Sequence, residues 1–385
     1  MNGKRARQTL RALSVLLSAL SLHQFGLAQD AKEIKYLITN DNKSPNTATF
    51  YRIGGTATAP TLTLLVAVGT GGSGGGGVTV SQVGSDECAY ISNGTSETIT
   101  AIVIPTRKYV GTYSAATTDT GLGATVSNGS YLYAAFDGSK KIATFQMNAG
   151  CALTFVGDVS ASGLNYPYSG VDGMALHGSM LVVTYGEGSI QSFNISAGLP
   201  VSNGDEQDAS GHSFGYSPVG VDISKNGQYA VFGDIGGVVA VETSDISSGK
   251  LIPTTFYDSL GAGTGSTGVL LSPNDDLLYI TDRGTNQVTA AKFNEITGRP
   301  SADCVSQALK NAYSIFGMAM ESTSGTGGLL YVAEWSAYYG PSWIGMLSVG
   351  STEKNCTLTE PSNSPVSDPD GSYLASIAVW PPRPF

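Results

Sequence analysis

The sequence predicts an all-β fold built from repeated four-stranded antiparallel units. Three observations predict it: a composition rich in glycine and poor in charge, a strand pattern that recurs along the chain, and turn residues between the strands. The 385 residues include 50 Gly, and only 13% are charged. Many Thr, Ser, Tyr and Val residues accompany the glycines, and this composition favours short strands joined by tight turns.

One short pattern, a small residue followed by alternating apolar positions, recurs at intervals of roughly 50 residues. We interpret each copy as the first strand of a repeat. The copies begin at Gly77, Gly123, Gly173, Gly220, Gly268, Gly317 and Ser376. A turn and a second apolar strand follow each copy except the last: Ala89–Ser92, Tyr131–Phe136, Met180–Tyr185, Tyr229–Gly233, Leu277–Asp282 and Leu329–Glu334.

Further strands complete each repeat. Val238–Glu242 and Gln287–Phe293 are predicted third strands, and Ala152–Val156 and Leu251–Phe256 are predicted fourth strands. A four-stranded meander of roughly 45–50 residues has the size of one β-propeller blade. The repeats therefore predict a β-propeller.

The two ends of the chain predict how the repeats close. Tyr36–Asn40 resembles a second strand without a first, and Tyr373–Val379 resembles a first strand without a second. Joining them completes one blade, so we expect a seven-bladed β-propeller with four-stranded antiparallel blades, closed by the C-terminal strand joining the N-terminal blade. Closure leaves no open sheet edge. The alternative is an open β-solenoid, against which the split repeat argues.

Residues 1–28 have the pattern of a signal peptide. Lys4, Arg5, Arg7 and Arg11 precede the apolar run 13–22, and Gly26-Leu27-Ala28 fits a small-x-small cleavage site. A membrane anchor is the alternative, but the run is short for a bilayer. We expect residues 29–385 to form a single propeller domain, secreted or periplasmic. Within it, we interpret the glycine-rich stretch 69–77 as a flexible loop on one face rather than a phosphate-binding loop, because it lacks the P-loop lysine.

Charge and cysteine content limit the partners. The formal net charge is −10, and cleavage would make it more negative by removing four basic residues. Such a surface repels phosphate backbones and anionic lipids, so we expect no nucleic-acid partner and no membrane contact beyond export. We also expect a monomer. Export permits disulfides. Cys88, Cys151, Cys304 and Cys356 allow three pairings, and free buried thiols are the alternative.

The loops that follow the second strands carry the candidate site. They start with polar or acidic residues: Asn40 and Asp41, Asn93, Asp137, Glu187, Asp234, Asp282 and Arg283, and Glu334. Such a ring can bind a calcium ion through carboxylate oxygens, or form a substrate pocket with Arg283. The alternative is turn chemistry, because Asp and Asn favour turns whatever the function.

Histidine and aromatic residues extend this site. His212 lies in a loop predicted on the same face and is the candidate general base there. Tyr168 and Trp335 belong to a group of aromatic residues in these loops. Aromatic walls with scattered carboxylates suit a carbohydrate or another flat small-molecule ligand, although the same rings can simply pack the loops together.

Three segments carry a family resemblance. The run 271–284, Leu-Ser-Pro-Asn-Asp-Asp-Leu-Leu-Tyr-Ile-Thr-Asp-Arg-Gly, the strand 36–40, Tyr-Leu-Ile-Thr-Asn, and the turn 295–299, Glu-Ile-Thr-Gly-Arg, resemble the lactonase-type seven-bladed propellers. This family includes 6-phosphogluconolactonase-like and 3-carboxymuconate cyclase-like proteins beside the wider Tyr-Val-Thr-Asn propellers. The resemblance implies the propeller fold over most of residues 29–385.

The catalytic pattern of that family is largely absent. Its enzymes place a His before one inner strand and an Arg-His pair before the next, where this chain has Gly170-Val171-Asp172-Gly173 and Ser217-Pro218-Val219-Gly220. Asp234 stands where the enzymes have Glu, and Arg283 matches an Asn-Arg-Gly element. Two hypotheses follow: a ligand- or partner-binding propeller with a degenerate lactonase site, or an active lactonase-like or cyclase-like enzyme that uses Asp234, Arg283 and His212. For either, the predicted ligand-binding residues are Asp137, Glu187, Asp282, Glu334, Trp335 and Tyr168.

Overall fold

A computed structural model describes most of the chain from Ile34 to Pro382. The ranges are 34–116, 118–162, 170–186, 189–205, 207–208, 220–234, 237–245, 250–258, 266–301, 306–310, 312, 314–321, 328–335, 341–350, 356–374 and 376–382. The chain divides into two compact units, Met1–Ile34 and Lys35–Phe385. The second unit holds every described strand, and the signal peptide predicted for residues 1–28 lies outside the described residues.

The described strands form seven antiparallel sheets. The first four in chain order contain β1 (Lys35–Asn40), β2 (Thr47–Thr56), β3 (Ala59–Gly69); β4 (Val78–Val83), β5 (Asp86–Asn93), β6 (Thr98–Val103), β7 (Lys108–Ser114); β8 (Leu122–Ser127), β9 (Tyr131–Phe136), β10 (Lys141–Met147), β11 (Leu153–Ser160); and β12 (Val171–His177), β13 (Met180–Tyr185), β14 (Ser189–Asn194), β15 (Val201–Ser202), β16 (Gln207–Asp208). A short 3₁₀ helix, Ala149–Cys151, precedes β11.

The remaining strands continue the same meander. They are β17 (Val221–Ile223), β18 (Tyr229–Asp234), β19 (Gly237–Asp245), β20 (Lys250–Asp258); β21 (Ser266–Leu271), β22 (Leu277–Asp282), β23 (Gln287–Asn294), β24 (Arg299–Ser301), β25 (Ser306–Ala308); β26 (Ser314–Met320), β27 (Leu329–Trp335), β28 (Ser342–Val349), β29 (Leu358–Thr359), β30 (Val366–Asp368); and β31 (Ile377–Trp380). The molecule is therefore an all-β propeller with four-stranded antiparallel blades. In three sheets, two short strands that both pair with the third strand take the place of the outer strand.

The terminal strands pair with each other. β31 runs antiparallel to β1, with Leu37 opposite Val379, and the sheet order is β3-β2-β1-β31. The C-terminal strand is shorter than the predicted 373–379, because the described residues 373, 374 and 376 lie outside the strand. The predicted strand at Tyr36–Asn40 is confirmed and extends by one residue to Lys35.

The second strand of each sheet is buried on both faces. All six residues of β13 and of β22 are buried. Successive side chains point to opposite neighbours, as the period of two requires: Leu278 and Ile280 pack towards the sheet of β18, whereas Tyr279 packs towards the sheet of β27. Each core cluster lies between two sheets, and one of them joins Leu37 of β1 to Tyr331 of β27. The hydrophobic core therefore consists of separate clusters, each lying between two neighbouring sheets. We call each of these sheet-to-sheet contacts a seam.

The first strands lie side by side at the centre. β31 contacts both β26 and β4, and a cavity of about 260 Å³ is lined by residues of β4, β8, β21, β26 and β31. Glycines at the strand starts permit this approach, since Gly77 N donates to Gly123 O at 2.9 Å. The small residue that marks each repeat therefore has a packing role.

Gly220 offers a test of this close approach. A Cβ at Gly220 would lie 2.7 Å from Gly268 Cα and Val269 N, whereas a Cβ at Gly123 would meet nothing within 4 Å. We expect Gly220→Ala to lower the free energy of unfolding by about 1–3 kcal/mol, measured by urea denaturation. Gly123→Ala is the matched control and should leave stability nearly unchanged. Equal stability of the two variants would contradict this packing role.

The glycine-rich stretch joins β3 to β4, as predicted from the sequence. Side chains hold it in place: Gly75 N donates to Asn42 Oδ1 at 2.6 Å, and Asn40 Nδ2 donates to Gly76 O at 3.2 Å. Gly72 N donates to Thr70 Oγ1 at 3.4 Å, and the Thr70 hydroxyl donates to Asn93 Oδ1 at 2.6 Å. The predicted ring members Asn40 and Asn93 therefore anchor this loop through hydrogen bonds.

Candidate functional site at the ends of the second strands

The candidate residues lie at the end of their sheets where the second strands end and the first strands begin. We call this end the mouth. The register places Asp282 opposite Ser266, Trp335 opposite Ser314, and Phe136 opposite Leu122. Each second strand therefore ends where the first strand of its sheet begins.

Arg283 is the centre of an aromatic cluster at the mouth. Its guanidinium carbon lies 4.9 Å from the ring centroid of Phe316 and 5.7 Å from that of Trp335. Trp335 in turn packs edge-on against Phe316 and against Tyr373, each with ring centroids 5.0 Å apart. Arg283 remains exposed while it stacks, so a cation lies on an aromatic platform beside open solvent.

Phe316 reaches this cluster because the ladder between β26 and β27 is irregular. The register shifts between Ile315 and Met318, so Phe316 and Gly317 have no partner opposite them. A bulge of this kind turns a side chain out of the regular pleat. The sequence predicted Arg283 and Trp335 as site residues and missed Phe316, because a bulge leaves no signal in the alternating pattern.

Asp282 is buried and satisfied within its own turn. Its side chain accepts hydrogen bonds from Gly284 N at 2.8 Å and from Thr285 Oγ1 at 2.7 Å. Only 1% of the residue is exposed. Asp282 therefore shapes the loop that presents Arg283, in agreement with the turn chemistry weighed as an alternative for this ring.

Glu334 points into the seam between two sheets instead of into the mouth. It is fully buried, and a Cβ on Gly345 would lie 2.1 Å from Glu334 Oε1. Neither carboxyl oxygen has a hydrogen-bond partner among the described residues. Burial, with a smaller contribution from Glu360, raises the pKa of Glu334 to about 9, so the group is neutral at physiological pH.

Asp137 and Asp172 form a second acidic position at the mouth. Asp137 is exposed, and its Oδ1 accepts from Gly170 N at 2.8 Å. Asp172 lies at a register shift in β12 between Val171 and Gly173. Burial, and then the charge of Asp137, raises the pKa of Asp172 to about 6. Sequence reasoning missed Asp172, although it lies in the segment 170–173 that was compared with the histidine position of the lactonase-type family.

The other predicted site residues fall outside the described part of the chain. Glu187, His212 and Tyr168 lie in segments that are not described. Asp234 is the last residue of β18, one residue beyond the predicted end of that strand at Gly233, and its side chain is not described. The contribution of these four side chains to the mouth stays a prediction.

Cysteine pairing is resolved for one pair. Cys88 in β5 and Cys151 in the 3₁₀ helix form a disulfide that joins two neighbouring sheets, with Cα atoms 5.5 Å apart. Cys356 is also disulfide-bonded. The alternative of free thiols is therefore wrong for these three cysteines, and Cys304 lies outside the described residues.

Neither a clustered metal-binding group nor a membrane-spanning helix occurs among the described residues. None of their His, Cys, Asp and Glu side chains form a group of three or more that could hold a metal ion. Within the same residues, no helix is long and apolar enough to cross a membrane.

The fold and the mouth together define a class: an all-β propeller whose blades present an arginine, aromatic rings and carboxylates at one end. Solved structures share this fold. A protein from Lactobacillus plantarum superposes with a TM-score of 0.68 at 15% identity, over 90% of this chain and 99% of that one. Two further structures bear out the fold resemblance to lactonase-type propellers.

A candidate 6-phosphogluconolactonase from Bacteroides uniformis has a TM-score of 0.66 at 15% identity, over 90% of this chain and 99% of that one. The periplasmic gluconolactonase PpgL from Pseudomonas aeruginosa has a TM-score of 0.66 at 13% identity with the same coverage. No family model matches the sequence, and no curated protein matches it. At sequence identities this low, the structural similarity establishes a shared fold alone.

Proposed function

We propose that this chain is a ligand-binding propeller with a degenerate lactonase site at its mouth. The observation that carries the proposal is the exposed guanidinium of Arg283 stacked over Phe316 and Trp335. A planar organic ligand or a sugar ring stacks on such rings, and its carboxylate or hydroxyl oxygens accept hydrogen bonds from the guanidinium.

The state of the carboxylates favours binding over catalysis. Asp282 is engaged in its turn, and Glu334 is neutral and enclosed between sheets. A lactone hydrolase needs a base to activate water and an acid for the leaving oxygen. Neither of these two carboxylates has the exposure that such a role requires.

Titration of tryptophan fluorescence with a panel of aldonic acids, aldonolactones and aromatic carboxylates tests this proposal. We expect at least one ligand to bind the wild type, and Arg283→Met to weaken its binding by about tenfold or more, because both the charge and the platform geometry are lost. Arg52→Met, at an exposed position of β2, is the matched control and should bind as the wild type does. Equal binding by Arg283→Met would refute the proposed site.

A specific observation favours a second candidate function, an active lactone hydrolase. Asp172 has a pKa raised to about 6 at the mouth, which suits a general base near neutral pH. We expect an active enzyme to lose at least about 100-fold in kcat with Asp172→Asn, and Asp234→Ala tests the residue predicted from the sequence. Background rates for the wild type and both variants over a lactone panel would exclude this function.

We further propose that the seven sheets are seven blades of one ring, closed where β31 pairs with β1. The core clusters between neighbouring sheets and the contacts of β31 with β4 support this closure. Deleting residues 376–385 should then destabilise the whole domain, since it would remove the first strand of a blade.

Export is also part of the proposal. The Cys88–Cys151 disulfide suits an oxidising compartment, and one structural neighbour is a periplasmic enzyme. We propose removal of residues 1–28 and a secreted or periplasmic monomer. Mass spectrometry of the exported protein would reveal a start at Gln29, and a chain that retains Met1 would contradict the proposal.

A further inference from the structure

A second group of acidic residues lies where the chain returns to its N-terminal sheet. Asp41 directly follows β1 and Asp368 ends β30, and neither residue is exposed to solvent. The intervening backbone is fastened to this point, because Ser372 N donates to Asp41 O at 2.9 Å and Asn42 Nδ2 donates to Tyr373 O at 3.1 Å. The two carboxylates therefore lie at the junction that leads into β31.

Hydroxyl groups surround Asp41. Thr39 Oγ1 donates to Asp41 Oδ1 at 2.7 Å, and Thr49 Oγ1 donates to Asp41 Oδ2 at 2.8 Å. Thr47 Oγ1 also donates to Asp41 Oδ2. Each of these hydroxyls keeps oxygen lone pairs after donating its hydrogen. The carboxylate and its neighbours thus form an all-oxygen environment.

Asp368 and Tyr51 leave two buried oxygens unused. Asp368 Oδ1 accepts from Asp370 N and Gly371 N, each at 3.2 Å, but Oδ2 has no hydrogen-bond partner among the described residues. The hydroxyl of Tyr51 has none either, although only 1% of this residue is exposed. Burial and then the charge of Asp368 raise the pKa of Tyr51, so the hydroxyl lies close to that carboxylate.

No cation balances the pair in the part of the chain that the structure describes. The nearby Lys43 bonds Asp370 Oδ1 at 2.7 Å instead, and no described ion pair includes Asp41 or Asp368. Two carboxylates buried without a counter-charge repel each other and lose their hydration. Buried polar atoms without partners often mark the position of an ion or a water molecule.

We propose that a calcium ion binds between Asp41 and Asp368, with the Tyr51 and Thr39 hydroxyl oxygens facing it. Calcium takes several oxygen ligands in flexible geometry. The polar side-chain atoms of Asp41, Asp368 and Tyr51, and of the threonines bonded to Asp41, are all oxygens. The ion supplies the missing positive charge and joins the N-terminal sheet to the segment before β31. The calcium predicted from the ring of carboxylates is therefore assigned to a seam between sheets and not to the centre of the mouth.

Calorimetric titration of the EDTA-treated, dialysed protein with calcium chloride tests the proposal. We expect one calcium ion per chain, a melting temperature that rises with calcium, and a weaker response to magnesium, which requires a stricter geometry. Asp368→Asn should weaken binding by at least tenfold and abolish the thermal shift. Asp370→Asn, two residues away and outside the site, is the matched control and should bind calcium as the wild type does.

Tyr51→Phe is the second variant, because it removes one oxygen and keeps the packing of the ring. We expect it to fold and to bind calcium more weakly than the wild type. Three results would each overturn the proposal: no saturable binding at one ion per chain in millimolar calcium, which would indicate a shared proton or water instead; calcium binding by Asp368→Asn equal to that of the wild type; or, should Asp368→Asn not fold, unchanged binding by Tyr51→Phe.

Discussion

Replacing Cys88 and Cys151 together with alanine will lower the free energy of unfolding by about 4 kcal/mol. The disulfide closes a loop with a sequence separation of 63 residues, and a cross-link of that span removes much conformational entropy from the unfolded chain. It also joins two neighbouring sheets, since Cys88 lies in β5 and Cys151 precedes β11. Guanidinium denaturation of the oxidised proteins measures the effect.

A matched control separates the cross-link from the loss of packing. Val83 belongs to the same core cluster as both cysteines and forms no cross-link, so Val83→Ala measures the cost of truncating a side chain there. We expect that cost to be the smaller one. A double alanine variant no less stable than Val83→Ala would contradict a stabilising role for the disulfide.

Glu334→Gln will make the protein more stable than the wild type at pH 8 and leave its stability nearly unchanged at pH 4. The folded pKa of Glu334 is raised to about 9 by burial, from an ordinary value of 4.5. Between these values the folded state binds a proton that the unfolded state has released, so stability falls as pH rises, by about 1.4 kcal/mol per unit for this group. The difference amounts to about 4 kcal/mol between pH 5 and pH 8.

Urea denaturation of the wild type and the variant across this pH range measures the prediction. The quantity to compare is the difference between the two curves, because other carboxyl groups with a raised pKa, such as Asp172, contribute equally to both. Glu295→Gln makes the same chemical change at an exposed position and serves as the control. Parallel curves for the wild type and Glu334→Gln would show that this carboxyl is not the source of the pH dependence.

Local sequence predicted strands well where a strand is buried on both faces. The second strands 131–136, 180–185 and 277–282 have the predicted bounds, because a continuous apolar run between turn residues has only one packing solution here. Predicted bounds were less accurate for the first strands. For example, β26 begins at Ser314, three residues before the predicted Gly317, because bulges interrupt the pattern at these starts.

The candidate site was predicted less completely than the fold. Spacing within a repeat placed Arg283 and Trp335 at the mouth, because turn positions repeat with the blade. The sequence could not distinguish the exposed Arg283 from the enclosed Glu334, since both stand where a second strand ends. Asp172 escaped prediction for a related reason: the pKa of a carboxyl depends on burial and on Asp137, which lies in another sheet.

By itself the sequence determined the repeat, the all-β class and the end of each blade at which polar residues collect, because period-two alternation and turn residues act over a few neighbouring positions. Only the tertiary structure decided which side chains meet across seams: Cys88 with Cys151, Arg283 with Phe316, and Asp41 with Asp368. These contacts join residues far apart in the chain, and their energies arise from burial and charge that exist only once the sheets have packed together.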